Sequence, residues 1–479
     1  MVFPVVGGDG KPTGYEIDNS VRMGDGRRLS KTFTEVTAER KKHTISGWVK
    51  KCETGSEEHL ILAYGDSNNY AYLRFHSDET LKFHIFGGGD ADANIITNRL
   101  FRDPSAWYHV VLVYDSAQGT DSNRVKIYIN GVQETSFSTA SYPAQDFESS
   151  IGDNVAHYVC DSSDGDFYLS DWYYIGNQAL SPSDFGETND NGVWVPKKYE
   201  GSFGSTNDTF LEFKQTGTGT DASGIGADTS GEGNHFAVTN LAATDVTTDT
   251  PTNNFCTINS VFADSGNNLV LADFSEGNTK MLSTVDGWKF GRGTFLLTSG
   301  KWYVEVKATE TGSGENGRFG IVPSEGGKVL GYGDDNDVFE GVTFALGGSD
   351  TNLEKLDTGT SSVIFSDLAS GNTVMLAIDL DNDKIWLGKE GTWYNNNNAS
   401  TTLSSSNHDI ALPTVDHGWV FAFGIPRNGS NNITFEYNWG NPPNSISSGN
   451  ADANGYGNFE FAVPSGFYSC CTKNLAEYG

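Results

Sequence analysis

Apolar and polar residues alternate with a period of two along most of this chain. Tyr70-Ala71-Tyr72-Leu73-Arg74-Phe75, Leu81-Lys82-Phe83-His84-Ile85-Phe86 and Val125-Lys126-Ile127-Tyr128-Ile129 show it most plainly. Successive side chains of a strand point to opposite faces, so this period sends one set to a core and the other outward. In the third run Val125, Ile127 and Ile129 share one face, and Lys126, Tyr128 and Asn130 share the other. Similar runs recur at Thr44 to Lys50, Leu60 to Tyr64, Lys301 to Lys307, Val342 to Leu346, Trp419 to Ile425 and Ile433 to Tyr437, with turn residues between them. No segment carries an apolar helical repeat over three turns. Short antiparallel strands at this spacing predict sandwiches, two sheets whose inner faces pack about 10 Å apart.

One hairpin is written twice. The first copy runs Trp107-Tyr108-His109-Val110-Val111-Leu112-Val113-Tyr114-Asp115, a polar turn, then Val125 to Gly131. The second runs Val374 to Asp379, a turn at Leu380-Asp381-Asn382-Asp383, then Lys384-Ile385-Trp386-Leu387 to Gly391. Each has an apolar strand, an Asp-containing turn, a Lys-Ile strand with an aromatic beside the Ile, and a terminal Gly. Two β-sandwich modules of lectin-like shape follow, a design for binding or display more than for catalysis. The chain's 479 residues suit about two large all-β domains. The expected plan is an N-terminal arm at 1–14, a sandwich at 15–195, a Gly/Thr/Ser/Asp-rich connector at 196–268 and a second sandwich at 269–479. Phe210-Leu211-Glu212-Phe213 and Phe236-Ala237-Val238 inside the connector predict an ordered segment packed on a neighbour, in place of a flexible tether. The tail from Phe467 to Leu475 reads as a closing strand.

Charge narrows the partners. With 62 acidic against 31 basic residues the net charge is −31. Such a surface repels phosphate backbones and excludes nucleic acid as a partner. No apolar stretch is long enough for membrane insertion. The start, Met1-Val2-Phe3-Pro4, lacks a basic region and a long apolar run, so no signal peptide is expected. Cys52, Cys160, Cys256, Cys470 and Cys471 are odd in number and lack zinc-site spacing. They read as reduced, semi-buried thiols in a protein folded in a cytoplasm.

Candidate chemistry is sparse. Asp379-x-Asp381-x-Asp383, with Glu390 twelfth, has the ligand spacing of an EF-hand loop. Lys384 occupies the sixth position, where the loop needs Gly, and strands flank it. The reading is a hairpin turn with no metal cofactor; Asp379, Asp381 and Asp383 are the candidate ligands were Ca²⁺ to bind. Glu16-Ile17-Asp18 approaches the strand-borne carboxylates of glycosidases but lacks the third one. Gly87-Gly88-Gly89-Asp90 lacks the Lys-Ser/Thr of a phosphate loop. The nine His are scattered, no Gly-x-Ser-x-Gly elbow is present, and His109 reads as a sheet residue, so no catalytic residue is assigned. Sugar recognition needs an aromatic platform beside planar polar groups. Tyr332 with Asp334 and Asp335, and Trp393-Tyr394 before Asn395, are the candidate ligand-binding residues.

Two resemblances add to this. Ile17-Asp18-Asn19-Ser20-Val21-Arg22, Ile45-Ser46-Gly47-Trp48-Val49-Lys50-Lys51, Trp107-Tyr108-His109-Val110-Val111, Val125 to Gly131 and Ile175-Gly176-Asn177-Gln178-Ala179-Leu180-Ser181 resemble a laminin-G/concanavalin-like domain of marine bacteriophage proteins. Gly300-Lys301-Trp302-Tyr303-Val304-Glu305-Val306, Phe319-Gly320-Ile321, Leu330-Gly331-Tyr332-Gly333-Asp334-Asp335, Ile378 to Trp386 and Phe421-Ala422-Phe423-Gly424 resemble a SPRY domain. Asp249 to Thr257 resembles the segment that joins such modules in phage virion proteins. The implied fold class is all-β, two concanavalin-like (jelly-roll) antiparallel sandwiches in tandem. The implied role is a non-enzymatic virion structural protein: a tail fibre, receptor-binding protein or capsid decoration. Its expected partners are other virion proteins, further copies of itself in a homo-oligomer, and a host-surface glycan or protein. Alternatives on the same folds are a polysaccharide-degrading enzyme and an intracellular SPRY-type peptide-binding scaffold.

Overall fold

The computed structural model describes residues 14–261 except 25 and 89, then 273–282, 289–311, 317–325, 342–346, 353–357, 360–395, 398–400, 402–403, 410–425, 427–428 and 431–479. Two compact units meet in sequence between Thr252 and Asn253. Both are built from antiparallel sheets, as the alternation requires.

In the first unit one sheet runs in the order Val132–Gln133, Val125–Ile129, Trp107–Asp115, Lys42–Lys51, Phe167–Gly176, Ser20–Met23, Val246–Thr247. The other runs Phe137–Ser141, Asp90–Thr97, Leu81–Gly87, Asn69–Phe75, Glu58–Asp66, Ala156–Val159, Arg28–Thr32, Ala237–Thr239. Ile45, Val49, Leu112, Ile127 and Leu169 from the first meet Leu73, Phe83, Ile85 and Ile95 from the second in one buried core. These are alternate residues of their strands, so the period of two in the sequence is the division between core and exterior.

The stretch whose composition reads as a connector supplies strands to this unit. Thr209–Leu211 pairs with Phe167–Gly176, Ala237–Thr239 with Arg28–Thr32, and Val246–Thr247 with Ser20–Met23. Its Gly/Ser/Asp text is held by carboxylates that collect backbone N–H groups. Asp208 accepts from Gly176 at 2.7 Å, Gly204 at 2.8 Å and Ser205 at 2.9 Å. Asp228 accepts from Phe210 at 2.9 Å and Asn234 at 2.7 Å. Asp and Gly here serve tight turns whose donors are satisfied locally.

In the second unit one sheet runs Asp273–Ser275, Lys280–Leu282, Asn431–Asn438, Lys301–Thr311, Thr373–Asp379, Lys384–Lys389, Thr392–Asn395, Asn398–Ser400. The other runs Lys289–Arg292, Trp419–Ile425, Gly317–Pro323, Val342–Leu346, Leu353–Asp357, Thr360–Phe365. Trp302, Val304, Val306, Leu376, Ile378, Phe319, Phe344, Phe421 and Phe423 lie in the core between them.

Both copies of the repeated hairpin form. Val110 to Tyr114 register with Ile129 to Val125, and Val374 to Asp379 with Lys389 to Lys384. The terminal glycines also correspond. Asn130 and Gly131 have φ of 48° and 78°, and Glu390 and Gly391 have the same two values. Two successive positive φ angles make the turn that matches strand twist, and each pair leads into a further strand of its sheet. A side chain at Gly131 would also sit 2.4 Å from the Trp194 ring.

The tail departs from the expected closing strand. Only Tyr468–Ser469 is a strand, parallel to Lys301–Thr311, and the helix Thr472–Tyr478 follows. Asp452 Oδ2 accepts from Ser469 N at 2.9 Å and from the Asn474 amide at 2.7 Å, tying strand end and helix to one anchor. All five cysteines are free and buried, and burial pushes the Cys471 thiol up to about 11. Among the described residues no helix is long and apolar enough to cross a membrane.

Candidate functional site

The two sheets of the first unit treat their outer faces differently. On the sheet containing Trp107–Asp115, the outward residues Val111, Val113, Tyr173 and Ile175 are covered by Phe185, Tyr199 and Phe210. His109 lies on this covered face, and its Nε2 is 2.9 Å from Ser46 Oγ. That contact looks like a nucleophile–base pair, but the imidazole's other nitrogen decides otherwise. Trp194 Nε1, which can only donate, reaches His109 Nδ1 at 3.1 Å. The ring proton is therefore on Nε2, which donates to Ser46 and cannot take its proton. Burial pulls the His109 pKa down to about 3, so the ring stays neutral.

The outer face of the other sheet carries aromatic and cationic side chains, of which Tyr64 is exposed, Tyr70, Arg74, Lys82 and Phe86 are half-buried, and Tyr72 and His84 are buried. In Asn69–Phe75 the residues Ala71, Leu73 and Phe75 enter the core, which turns Tyr70, Tyr72 and Arg74 outward. Leu81–Gly87 turns Lys82, His84 and Phe86 to the same side. The register aligns them in rows. Tyr64 is opposite Tyr70, and Tyr70 opposite Phe86. Leu62, Tyr72, His84 and Asn94 form the next row, and His59, Arg74 and Lys82 the third.

Ring geometry follows the register. Tyr70 and Phe86 stack with centroids 5.2 Å apart, Tyr72 and His84 with centroids 5.3 Å apart. Tyr64 ends its row 6.4 Å from Tyr70 and is 44% exposed. Rigid rings with two side-chain torsions lose little entropy when a ligand settles on them, and they present an apolar body with a polar rim. The C–H face of a pyranose ring packs on such a surface while its hydroxyls reach neighbouring polar groups.

Those polar groups are fixed. Arg74 Cζ lies 4.3 Å from the Tyr72 ring centroid. Arg74 Nη1 donates to Glu57 Oε2 at 2.5 Å and lies 3.4 Å from His59 Nε2. His59 Nδ1 in turn faces Asp164 Oδ1 at 2.7 Å. A carboxylate accepts, so the His59 proton is on Nδ1 and Nε2 faces Arg74 as an acceptor. Burial, then the Lys82 charge, pulls the His84 pKa below its ordinary value, which leaves the imidazole in the middle row neutral near pH 7.

The residues singled out from sequence lie in the second unit. Trp393 is 5% exposed and packs in a cluster with Tyr303, Trp386, Phe459 and Phe467. With Lys301, Asp379, Trp386 and Pro464 it lines a groove of about 500 Å³. Tyr394, the next residue on the strand, faces the core side and lies 5.0 Å from Phe365. The two are therefore not brought together. Tyr332, Asp334 and Asp335 lie outside the described residues.

Asp379, Asp381 and Asp383 sit on the hairpin turn, but their carboxylates do not converge. Asp379 pairs with Lys301 Nζ at 2.8 Å and accepts from the Asn382 amide at 2.9 Å. Asp381 Oδ1 accepts from Gly300 N at 2.8 Å. Among the described residues no three His, Cys, Asp or Glu side chains gather as a metal site. As placed, this set does not fit a Ca²⁺ ion.

The open face was written in the sequence as Tyr70-x-Tyr72-x-Arg74 and Lys82-x-His84-x-Phe86. Both strands carry large rings on the side that alternation assigns to solvent, where small polar residues would have sufficed. Sequence reasoning, which chose Tyr332, Asp334, Asp335, Trp393 and Tyr394, missed this face, and that excess is the signal that could have found it.

Residues 25–184 match a family described as the Concanavalin A-like lectin/glucanases superfamily. With the two antiparallel sheets, this makes the first unit a lectin-like sandwich of the concanavalin and laminin G type, and tandem sandwiches fit the chain. Among solved structures the chain is similar to a putative carbohydrate binding protein from Bacteroides ovatus, with 14% identity over 49% of this chain and 60% of that one, TM-score 0.32. It is also similar to domains LG4-5 of the mouse laminin alpha1 chain, with 10% identity over 85% of this chain and 83% of that one, TM-score 0.26. The SPRY domain of human HERC1 is a third, with 13% identity over 33% of this chain and 87% of that one, TM-score 0.24. At that distance the similarities say nothing of ligand or activity. No curated protein matches the chain.

Proposed function

We propose that this protein is a glycan-binding structural component of a bacteriophage virion, an exposed appendage such as a tail fibre, receptor-binding or capsid-decorating protein. The observation that carries the binding half is the outer sheet face, where the exposed Tyr64 and the half-buried Tyr70 and Phe86 form a platform, with the buried Tyr72 and the half-buried Arg74, Lys82 and Asn94 in the neighbouring rows. The virion half is supported by the order of the laminin-G-like and SPRY-like motifs. A net charge of −31 suits a protein displayed in many copies, because like-charged neighbours stay apart in solution. The reading is of binding without turnover. The centre of the face holds rings and cations, whereas glycoside hydrolysis needs two carboxyl groups across the scissile bond, about 5–10 Å apart.

The test is a binding screen of the full chain against bacterial surface polysaccharides, repeated with Tyr70→Ala. Loss of the Tyr70 ring is expected to weaken the strongest interaction about tenfold, equivalent to about 1.4 kcal/mol. Unchanged affinity in the variant would remove the face from the account. Immunogold labelling of purified particles tests the virion half, and particles free of label would contradict it.

A further inference from the structure

We propose that Arg74 and Lys82, set against the ring of Tyr72, form a subsite for the carboxylate or sulfate groups of an acidic polysaccharide. The proposal rests on the reading of this face as glycan-binding and names the class of glycan.

Arg74 and Lys82 are directly opposite one another on neighbouring antiparallel strands. Like charges in that position repel, and a fold under no other demand avoids the pairing. Both lie against one ring: Arg74 Cζ is 4.3 Å and Lys82 Nζ 5.8 Å from the Tyr72 centroid. The nearby carboxylates are already engaged. Glu57 binds Arg74, and Asp78 binds Thr80 and lies 3.2 Å from His76 Nδ1. Lys82 takes no part in the ion pairs among the described side chains. Its pKa is lowered, first by burial and then by the Arg74 charge, against a smaller opposing pull from Tyr70, Glu57 and Asp78. An anionic group between the two cations would relieve that repulsion.

The experiment measures affinities of the full chain for two matched pairs: alginate against carboxyl-reduced alginate, and dextran sulfate against dextran. Expected is at least tenfold tighter binding to a charged member than to its neutral partner, weakening several-fold as NaCl rises from about 50 to about 500 mM. Lys82→Gln is expected to abolish that preference and Lys82→Arg to keep it, both with unchanged circular dichroism. Tyr70→Ala is expected to weaken charged and neutral members alike. Equal affinity for charged and neutral members, or a preference untouched by Lys82→Gln, overturns the subsite while the glycan reading stands. Affinity for both pairs that ignores Tyr70→Ala overturns the glycan reading itself. Equally tight binding to vesicles of phosphatidylglycerol, also indifferent to Tyr70→Ala, identifies unspecific anion binding and overturns the proposal.

Discussion

At the scale of single residues, Asp171 is a buried carboxyl at a left-handed backbone position. Its φ is +44°, and the pairing of its strand with Lys42–Lys51 slips between Ser170 and Tyr173. A bulge of this kind re-aims a side chain. Burial, followed by the charges of Glu212 and Asp18, raises the Asp171 pKa to about 8, while a hydrogen bond with Tyr15 holds it down. An Asp in the unfolded chain titrates near 3.9. Between about pH 4 and about pH 8 the folded state therefore holds a proton that the unfolded state has released. The contribution of Asp171 to stability is full below that window and is lost as pH rises through it. Asn tolerates the left-handed conformation and does not titrate. In Asp171→Asn the gain in Tm over the parent protein is expected to grow from pH 5 to pH 8, and a gap independent of pH would contradict this. The alternation breaks at Ser170-Asp171, two polar residues in succession where the bulge falls, but the neighbours that shift the group come from residues 15–18 and 212 and are not announced locally.

At the scale of elements, strands were legible and their partners were not. The run Val374 to Lys389 declares a hairpin, because an Asp-Asn-Asp turn lies between two apolar strands. Its acidic spacing resembles a metal loop, and only the fold supplies Lys301, which pairs with Asp379, and Gly300, whose N–H binds Asp381. Asp381→Ala is expected to cost about 1 kcal/mol in urea denaturation, the worth of one hydrogen bond. Millimolar Ca²⁺ is expected to leave Tm unchanged. A rise of several degrees with Ca²⁺ that disappears in Asp381→Ala would make the turn a cation site. The aromatic face follows the same logic. Its rings could be read as outward from Asn69–Phe75 and Leu81–Gly87 separately, but nothing local says that these strands are neighbours. Nor does it say that the opposite sheet, not this one, is covered by Phe185, Tyr199 and Phe210.

At the scale of the molecule, a two-sandwich plan follows from the duplicated hairpin and the length, while the boundary does not follow from composition. The Gly- and Thr-rich text reads as an ordered segment between two domains, and only its strand pairings place it inside the first unit. Lys50 and Asp249 show why the first unit needs residues as far as Thr252. Both side chains are fully buried, and they pair at 2.8 Å. Removing Asp249 strands a buried ammonium, a loss of about 3–5 kcal/mol. Residues 12–252 expressed alone are expected to unfold in one cooperative transition. The piece ending at Pro196 also lacks three strands and is expected not to fold. A cooperative transition in the shorter piece would place the boundary where composition suggests.

On the proposed function, the outer face of one sheet, and not the groove beside Trp393, meets the glycan. Hydrogen–deuterium exchange of the full chain, with and without the tightest polysaccharide from the binding screen, tests it most directly. Slowed exchange is expected in peptides covering Glu58–Asp66, Asn69–Phe75 and Leu81–Gly87, with no change at 392–395 or 462–467. Protection at those latter segments, with none on the three strands at saturating ligand, would contradict it.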